Sequence, residues 1–472
     1  MRVRPKLAVL AVSLLVGGVT ARRPLRSFPR GRRKEFRWHS SHIALAHFPS
    51  IRSLAGRTLA PGPDEGFSMD DILAHTVGYL CVGILVAILA RRVRLPYTVG
   101  LVFTGVVMAL TGVETGAMLT HDFIFEIILP PLLFEAALSI HWSELRRDMA
   151  PVLVLATLGV ILSAGVVALG LVKLLAWPLG PALVFGALIA ATDPIAVLAM
   201  FKDTGIKGRL KLLVESESLF NDAAAAVLFA LALTFVAATA NDPLSPLKLA
   251  EIVCSMVGGG AFIGLACGGL AILIAGRTDD HLVETALTTV AAYGSFLLAE
   301  SFHASGVLAT VAAGLLMGNL GVLRGRDEDN QLSSEGRVFA IAFWQFAAFI
   351  ANSLIFLLIG LRVAAIPFQS FPITAIAIGI GLVLAGRALA VYPLCLIFRA
   401  SQSAIPMAEQ HVLWWGGLRG ALALALALSL PLSFPYHDEI LVGAFAVVVF
   451  SVVAQGLTMP LLLRKLGFLP AR

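Results

Sequence analysis

The residues best placed to do chemistry are ionisable side chains set inside apolar runs: Glu135, Asp193, Glu217, Asp222, Arg387 and Arg419. At membrane depth each such charge is costly unless it is paired or wetted. Asp193 stands in Ala190-Ala191-Thr192-Asp193-Pro194-Ile195, near the middle of its run. A hard carboxylate oxygen beside backbone freed by proline suits an alkali cation. The plainer alternative is a helix cap or a proline-adjacent turn.

A second cluster reads Glu215-Ser216-Glu217-Ser218-Leu219-Phe220-Asn221-Asp222. Four residues apart on a helix, Ser218 and Asp222 share one side, and Glu217 and Asn221 form the neighbouring stripe. Glu215 fits a solvated helix start near the interface. No further charge follows Asp222 until Asp242. A lone carboxylate at that depth does not stay bare; it takes a proton or a cation. Arginine keeps its charge in proteins, so Arg387 and Arg419 each need an acidic or carbonyl partner. Glu217 is the best candidate for one of them, as a fixed salt bridge or a gate. Glu126, Glu300, His303 and His411 lie near run ends and read as interfacial or structural.

Such side chains need deep helices to hold them, and the composition supplies these. Hydrophobic residues make up 58% of the 472 and charged residues 14%, against roughly 45–50% and about 25% in soluble domains. Mean hydropathy is +0.90. A soluble globular enzyme and a disordered chain are both excluded. The fold class is an all-α polytopic membrane protein, since about 20 apolar residues make one crossing. Apolar runs alternate with polar loops about thirteen times, over 72–90, 95–113, 122–140, 150–176, 181–201, 212–239, 249–276, 282–301, 304–321, 337–362, 370–398, 409–430 and 438–464. With the first run starting outside, the inside loops hold 17 Lys/Arg and the outside loops two, Lys248 and Arg362. That asymmetry puts the C-terminus in the cytoplasm. The fifth run is interrupted at Pro194 and the twelfth at Gly416-Gly417. Interruptions at matching places of two six-helix halves point to an inverted-repeat transporter.

The N-terminal arm stands apart. Residues 1–63 carry 13 Lys/Arg and one acid, and the other 409 residues carry a net −6. The basic balance therefore belongs to the arm and gives no reason to expect nucleic acid as a partner. Residues 1–68 read as a basic extension, disordered or cleaved: a signal peptide, an arginine-rich transit sequence, or a stretch upstream of a start at Met69. Residues 69–472 form the membrane domain. Cys81, Cys254, Cys267 and Cys395 sit unpaired in apolar runs and read as small buried hydrophobes.

Thr192-Asp193-Pro194, Glu217-Ser218-x-x-Asn221-Asp222, Leu129-Pro130-Pro131 ahead of Glu135, and Gly416-Gly417-Leu418-Arg419-Gly420 together resemble the NhaP/NHE branch of the monovalent cation:proton antiporters, the sodium/hydrogen exchanger family. The stretch from Glu284 to Asn319 resembles it as well, and the likeness spans about Asp70 to Leu466. It implies an NhaA/NapA-like fold of about thirteen helices in two inverted repeats, a homodimer among membrane lipids, and exchange of Na⁺, K⁺ or Li⁺ for H⁺ by an elevator motion. It makes Asp222 the carboxylate that carries ion and proton. Asp193, Thr192 and Ser218 complete the site for the transported Na⁺, Asn221 supports it, and Glu135 is a further acid of the family's motif. Glu217 resembles the acid paired with a core arginine, placed at Arg387 with Arg419 as the other candidate. Asn221, where electrogenic relatives have Asp, implies electroneutral exchange. No cofactor is implied, the ions being cargo, and the setting is a bacterial inner membrane. With Arg472 as the last residue, no regulatory cytoplasmic domain is expected.

Two other classes compete. A cation channel or uniporter could use the same carboxylates, although a titratable aspartate as the main negative ligand favours coupling to protons. An intramembrane enzyme would need a nucleophile or metal set, and the sequence has no His-Glu-x-x-His and no Gly-x-Ser-x-Gly.

Overall fold

The computed structural model describes residues 69–93, 96–111, 120–238, 245–278, 280–322, 333–365 and 371–469. The basic arm, and with it every reading of residues 1–68, lies outside them. The regular elements among the described residues are all helices. In chain order they form α1 (Met69–Val93), α2 (Tyr97–Leu110), α3 (Leu129–Ser139), α4 (Trp142–Leu174), α5 (Leu179–Ala190), α6 (Ile195–Thr204), α7 (Arg209–Ala237) and α8 (Gly260–Ala275). There follow α9 (His281–Ser301), α10 (Gly306–Met317), α11 (Ser334–Ala365), α12 (Ile373–Ile397), α13 (Met407–Trp415), α14 (Ala421–Leu428), α15 (His437–Phe450) and α16 (Gly456–Lys465). Wide-turn segments lead into α3 (Phe123–Ile128) and α8 (Cys254–Gly259) and join α15 to α16 (Ser451–Gln455).

Local chemistry sets several starts. Ser245, Asp280 and Ser305 accept from the backbone N–H of Lys248, Leu282 and Leu308, capping a short helix between α7 and α8 (Pro246–Val253), α9 and α10. Among the described residues, eight helical stretches are long and apolar enough to cross a membrane, and Val77–Ala90, Tyr97–Leu110 and Gly306–Leu320 are shorter apolar helices. Leu85, Phe103, Phe262 and Leu270 point outward, exposed, as lipid-facing side chains do in a membrane bundle.

Two expectations need correction. The fourth run was expected over 150–176; α4 instead begins at Trp142 and passes through Pro151. At 33 residues it is about 50 Å long, so its first turns, with exposed Arg146 and Arg147, extend past the apolar layer. The cysteines are free, but only Cys395 is buried, while Cys81 and Cys254 are exposed. An apolar neighbourhood in a membrane sequence signals lipid as readily as protein core.

Helices α2 and α11 approach until their backbones touch. A Cβ added to Gly105 would strike the Leu357 carbonyl, with Leu361 N at 2.8 Å; one added to Gly360 would strike the Val102 carbonyl. Small residues let membrane helices pack this closely. Gly105→Val or Gly360→Val should therefore force the pair apart and cost about 1–3 kcal/mol. A melting curve in detergent checks this; an unchanged midpoint in both variants would mean the contact bears no stability.

Candidate functional site

Two interrupted helices cross at their breaks. The α5–α6 unit unwinds over 191–194 and the α13–α14 unit over 416–420, and the Asp193 N–H donates to the Leu418 carbonyl at 2.7 Å. Unwinding strands helix ends inside the bundle, and Asp193 and Arg419, one from each break, answer them. The Asp193 carboxylate accepts from the Ile195 N–H at 3.0 Å, capping α6, and the Ala421 N–H at the start of α14 is directed at it too. Arg419 reaches back the other way, its Nη1 donating to the Ala190 and Ala191 carbonyls at 3.1 and 3.2 Å at the end of α5. Acid at the positive ends and arginine at a negative end suit the helix dipoles. Gly420 permits the approach, since a Cβ there would fall on the Asp193 carboxylate.

The second arginine closes a different contact. Arg387 on α12 grips Glu217 on α7 with two bonds, Nη1–Oε1 and Nη2–Oε2, both 2.8 Å. Its Nε and Nη2 also donate to the Leu413 carbonyl at 3.3 and 3.1 Å, in the last turn of α13. Asn221 donates to Glu217 Oε1 at 3.1 Å. Glu217, Arg387, Asn221 and Arg419 are all buried, none more than 5% exposed.

On the neighbouring stripe of α7 the picture differs. Ser218 and Asp222 face a cavity of about 100 Å³, which Glu135 from α3 and Thr192 and Asp193 from the crossing also line. Ser218 Oγ donates to the Thr192 carbonyl. Asp222, Asp193 and Glu135 keep partial exposure, and the Asp222 carboxylate has no hydrogen-bond or salt-bridge partner among the described residues. The structure thus brings Glu135, Thr192, Asp193, Ser218 and Asp222 to one space. It sets Glu217, Asn221, Arg387 and Arg419 behind it, in the packing.

Two lining residues escaped the sequence reading. Glu215, expected as a solvated helix start, is buried in the second turn of α7. It accepts from Ser139 Oγ at 3.0 Å and lies 3.5 Å from Lys211 Nζ. The correction arises because α7 starts at Arg209, inside the expected loop. Asn352 on α11 is the other, an amide in the apolar run Phe339–Leu361 that a search for charges passes over. Glu300, by contrast, accepts from the Gly306 N–H at 2.8 Å, a structural role at the start of α10.

Crossed broken helices around partly open carboxylates, in a bundle built for the membrane, define a secondary ion transporter rather than an enzyme. Residues 77–465 match the family model described as sodium/hydrogen exchanger, transmembrane, and the chain belongs to that family. It is 36% identical over 415 residues to the low-affinity Na(+)/H(+) antiporter NhaS1 of Synechocystis, a match covering 86% of this chain and 77% of the relative. It is 38% identical over 388 residues to the Na(+)/H(+) antiporter ApNhaP of Aphanothece halophytica, covering 80% and 71%. Among solved structures, the sodium proton antiporter MjNhaP1 of Methanocaldococcus jannaschii at pH 8 superposes with a TM-score of 0.68 at 21% identity, covering 84% of this chain and 98% of that one. At that identity the likeness speaks for the fold.

The sealed pair makes its own prediction. Removing one member of a buried ion pair leaves an uncompensated charge and costs about 3–5 kcal/mol. Glu217→Ala and Arg387→Ala should each lower thermal stability by that order, and the double variant should lose less than the sum. Strict additivity in that cycle would show that the two charges do not support one another.

Proposed function

We propose that the protein exchanges Na⁺, or a similar monovalent cation such as K⁺ or Li⁺, for H⁺, with Asp222 and Asp193 as the groups for which the two ions compete. One observation carries the reading. The buried arginines nearest the crossing make their hydrogen bonds elsewhere, Arg387 to Glu217 and Arg419 to helix-end carbonyls, so neither forms a direct ion pair with Asp222 or Asp193. An acid so placed binds a proton or a small cation and not both at once, which is the logic of antiport. Ser218 and Thr192 add neutral oxygens, and Glu135 adds a further acid. The names of the relatives, Na(+)/H(+) antiporters, agree with this.

The same reading extends to architecture. We place about thirteen crossings in two inverted six-helix repeats, with the C-terminus cytoplasmic and the chain a homodimer in a bacterial inner membrane. The excess of Lys/Arg on one side supports the orientation, and the two breaks in corresponding helices support the repeat. Alternating access would carry the crossing past the remaining helices, elevator-fashion. Stoichiometry is read as one for one: Asn221 carries no proton, and its amide braces Glu217.

Reconstitution tests this. With a pH-sensitive dye in proteoliposomes, added Na⁺ should move protons, and Asp222→Asn or Asp193→Asn should abolish the signal while each variant still inserts and purifies as a dimer. Substantial exchange by Asp222→Asn would remove Asp222 from the site. A potential set with valinomycin should leave the wild-type rate unchanged, whereas a net charge moved per cycle would couple it to about 2.3 kcal/mol per 100 mV. A steady current that reverses with the sodium gradient would refute electroneutrality and point to Glu135 as a second carrier.

A further inference from the structure

Asn352 is the polar side chain that α11 presents to the cavity, one turn after the small Ala348. It is 7% exposed, and its Oδ1 is buried without a hydrogen-bond partner. The ordinary use of an amide within a membrane helix is a bond to a neighbouring helix, and among the described residues Asn352 makes none through that oxygen. An apolar residue would fill the same space without stranding a carbonyl. Asn352 lines a space whose other polar lining consists of Glu135, Thr192, Asp193, Glu215, Ser218 and Asp222. What it lacks is a positive or donating partner, and that space is where a cation or its hydration water would stand.

We infer that Asn352 is a specificity-determining residue that supplies a neutral oxygen, from a helix outside the crossing, to the cation or to a water it keeps. This rests on the proposed exchange but adds to it. The carboxylates set how much positive charge is held, while a neutral amide changes how completely a cation must shed water, and so which cation is preferred. Since it neither carries nor binds a proton of its own, Asn352 leaves the stoichiometry alone. Its position on α11 also makes the contact depend on how the crossing sits against that helix, so the oxygen serves the site in the arrangement seen here.

The test measures binding separately from exchange. Cation-dependent stabilisation against heat, with NaCl or LiCl titrated against choline chloride, reports binding to the folded protein without any transport. Asn352→Leu should raise the half-saturating Na⁺ concentration by about tenfold, the size of one lost contact between an oxygen and a charged partner, and should change the Li⁺/Na⁺ ratio. Asn352→Gln, which keeps the carbonyl and has cavity volume to enter, should recover most of the loss and serves if the leucine variant fails to fold. Wild-type half-saturation and ion ratio in Asn352→Leu would overturn the assignment, as would an equal loss in Asn352→Gln. Dye-based exchange by the wild type is run alongside. If cations stabilise the protein in an Asn352-dependent way but no proton moves, the antiport reading fails while the oxygen ligand stands; exchange with unaltered selectivity in Asn352→Leu gives the reverse.

Discussion

Breaking two helices inside a membrane leaves four helix ends where water cannot reach them, and the rest of the molecule is arranged around answering those ends. Asp193 takes the positive ends of α6 and α14. Arg419 takes the end of α5 and Arg387 the end of α13. Each answering group therefore brings a full charge to membrane depth, and each charge then needs its own resolution. Glu217 resolves Arg387 with a two-pronged pair. Asp222, on the cavity wall, has no such partner among the described residues.

This sorts one short helical segment into two functions by helical periodicity alone. On α7, Glu217 and Asn221 face the packing and are sealed, while Ser218 and Asp222, one position further along, face open space. A rotation of about 100° per residue is enough to separate a carboxylate sealed in a pair from one that faces the cavity. The two stripes share a helix, so the rigidity won by the sealed pair holds the open acid in place.

Much of this was legible in the sequence because membrane sequences are read against a strong background. A charge in an apolar run stands out, the spacing of Ser218 and Asp222 fixes a shared face, and a proline or paired glycines mark a break. What the sequence could not give was the crossing. Glu217 and Arg387 lie 170 residues apart, and nothing local says that Arg387 and not Arg419 meets Glu217, or that Arg419 is spent on the carbonyls of Ala190 and Ala191. Burial was the weaker reading for the same reason. Apolar context does not separate lipid from core, which is why Cys81 and Cys254 turned out exposed and Glu215 buried. Asn352 went unread because an uncharged amide is a faint signal beside the charges around it.

The backbone bond from Asp193 to the Leu418 carbonyl, with the Ser218 hydroxyl on the Thr192 carbonyl, stitches three helical units into one block whose internal contacts do not involve the two faces of the membrane. Under the proposed exchange, a block that keeps its internal geometry would present its own side chains, Thr192, Asp193, Ser218 and Asp222, unchanged whichever side it opened to. Any difference in ion affinity between the two sides would then come from the surrounding helices, with Asn352 on α11 among them, and not from the crossing. Direction belongs to the solutions on either side, and a substitution within the crossing retunes influx and efflux together.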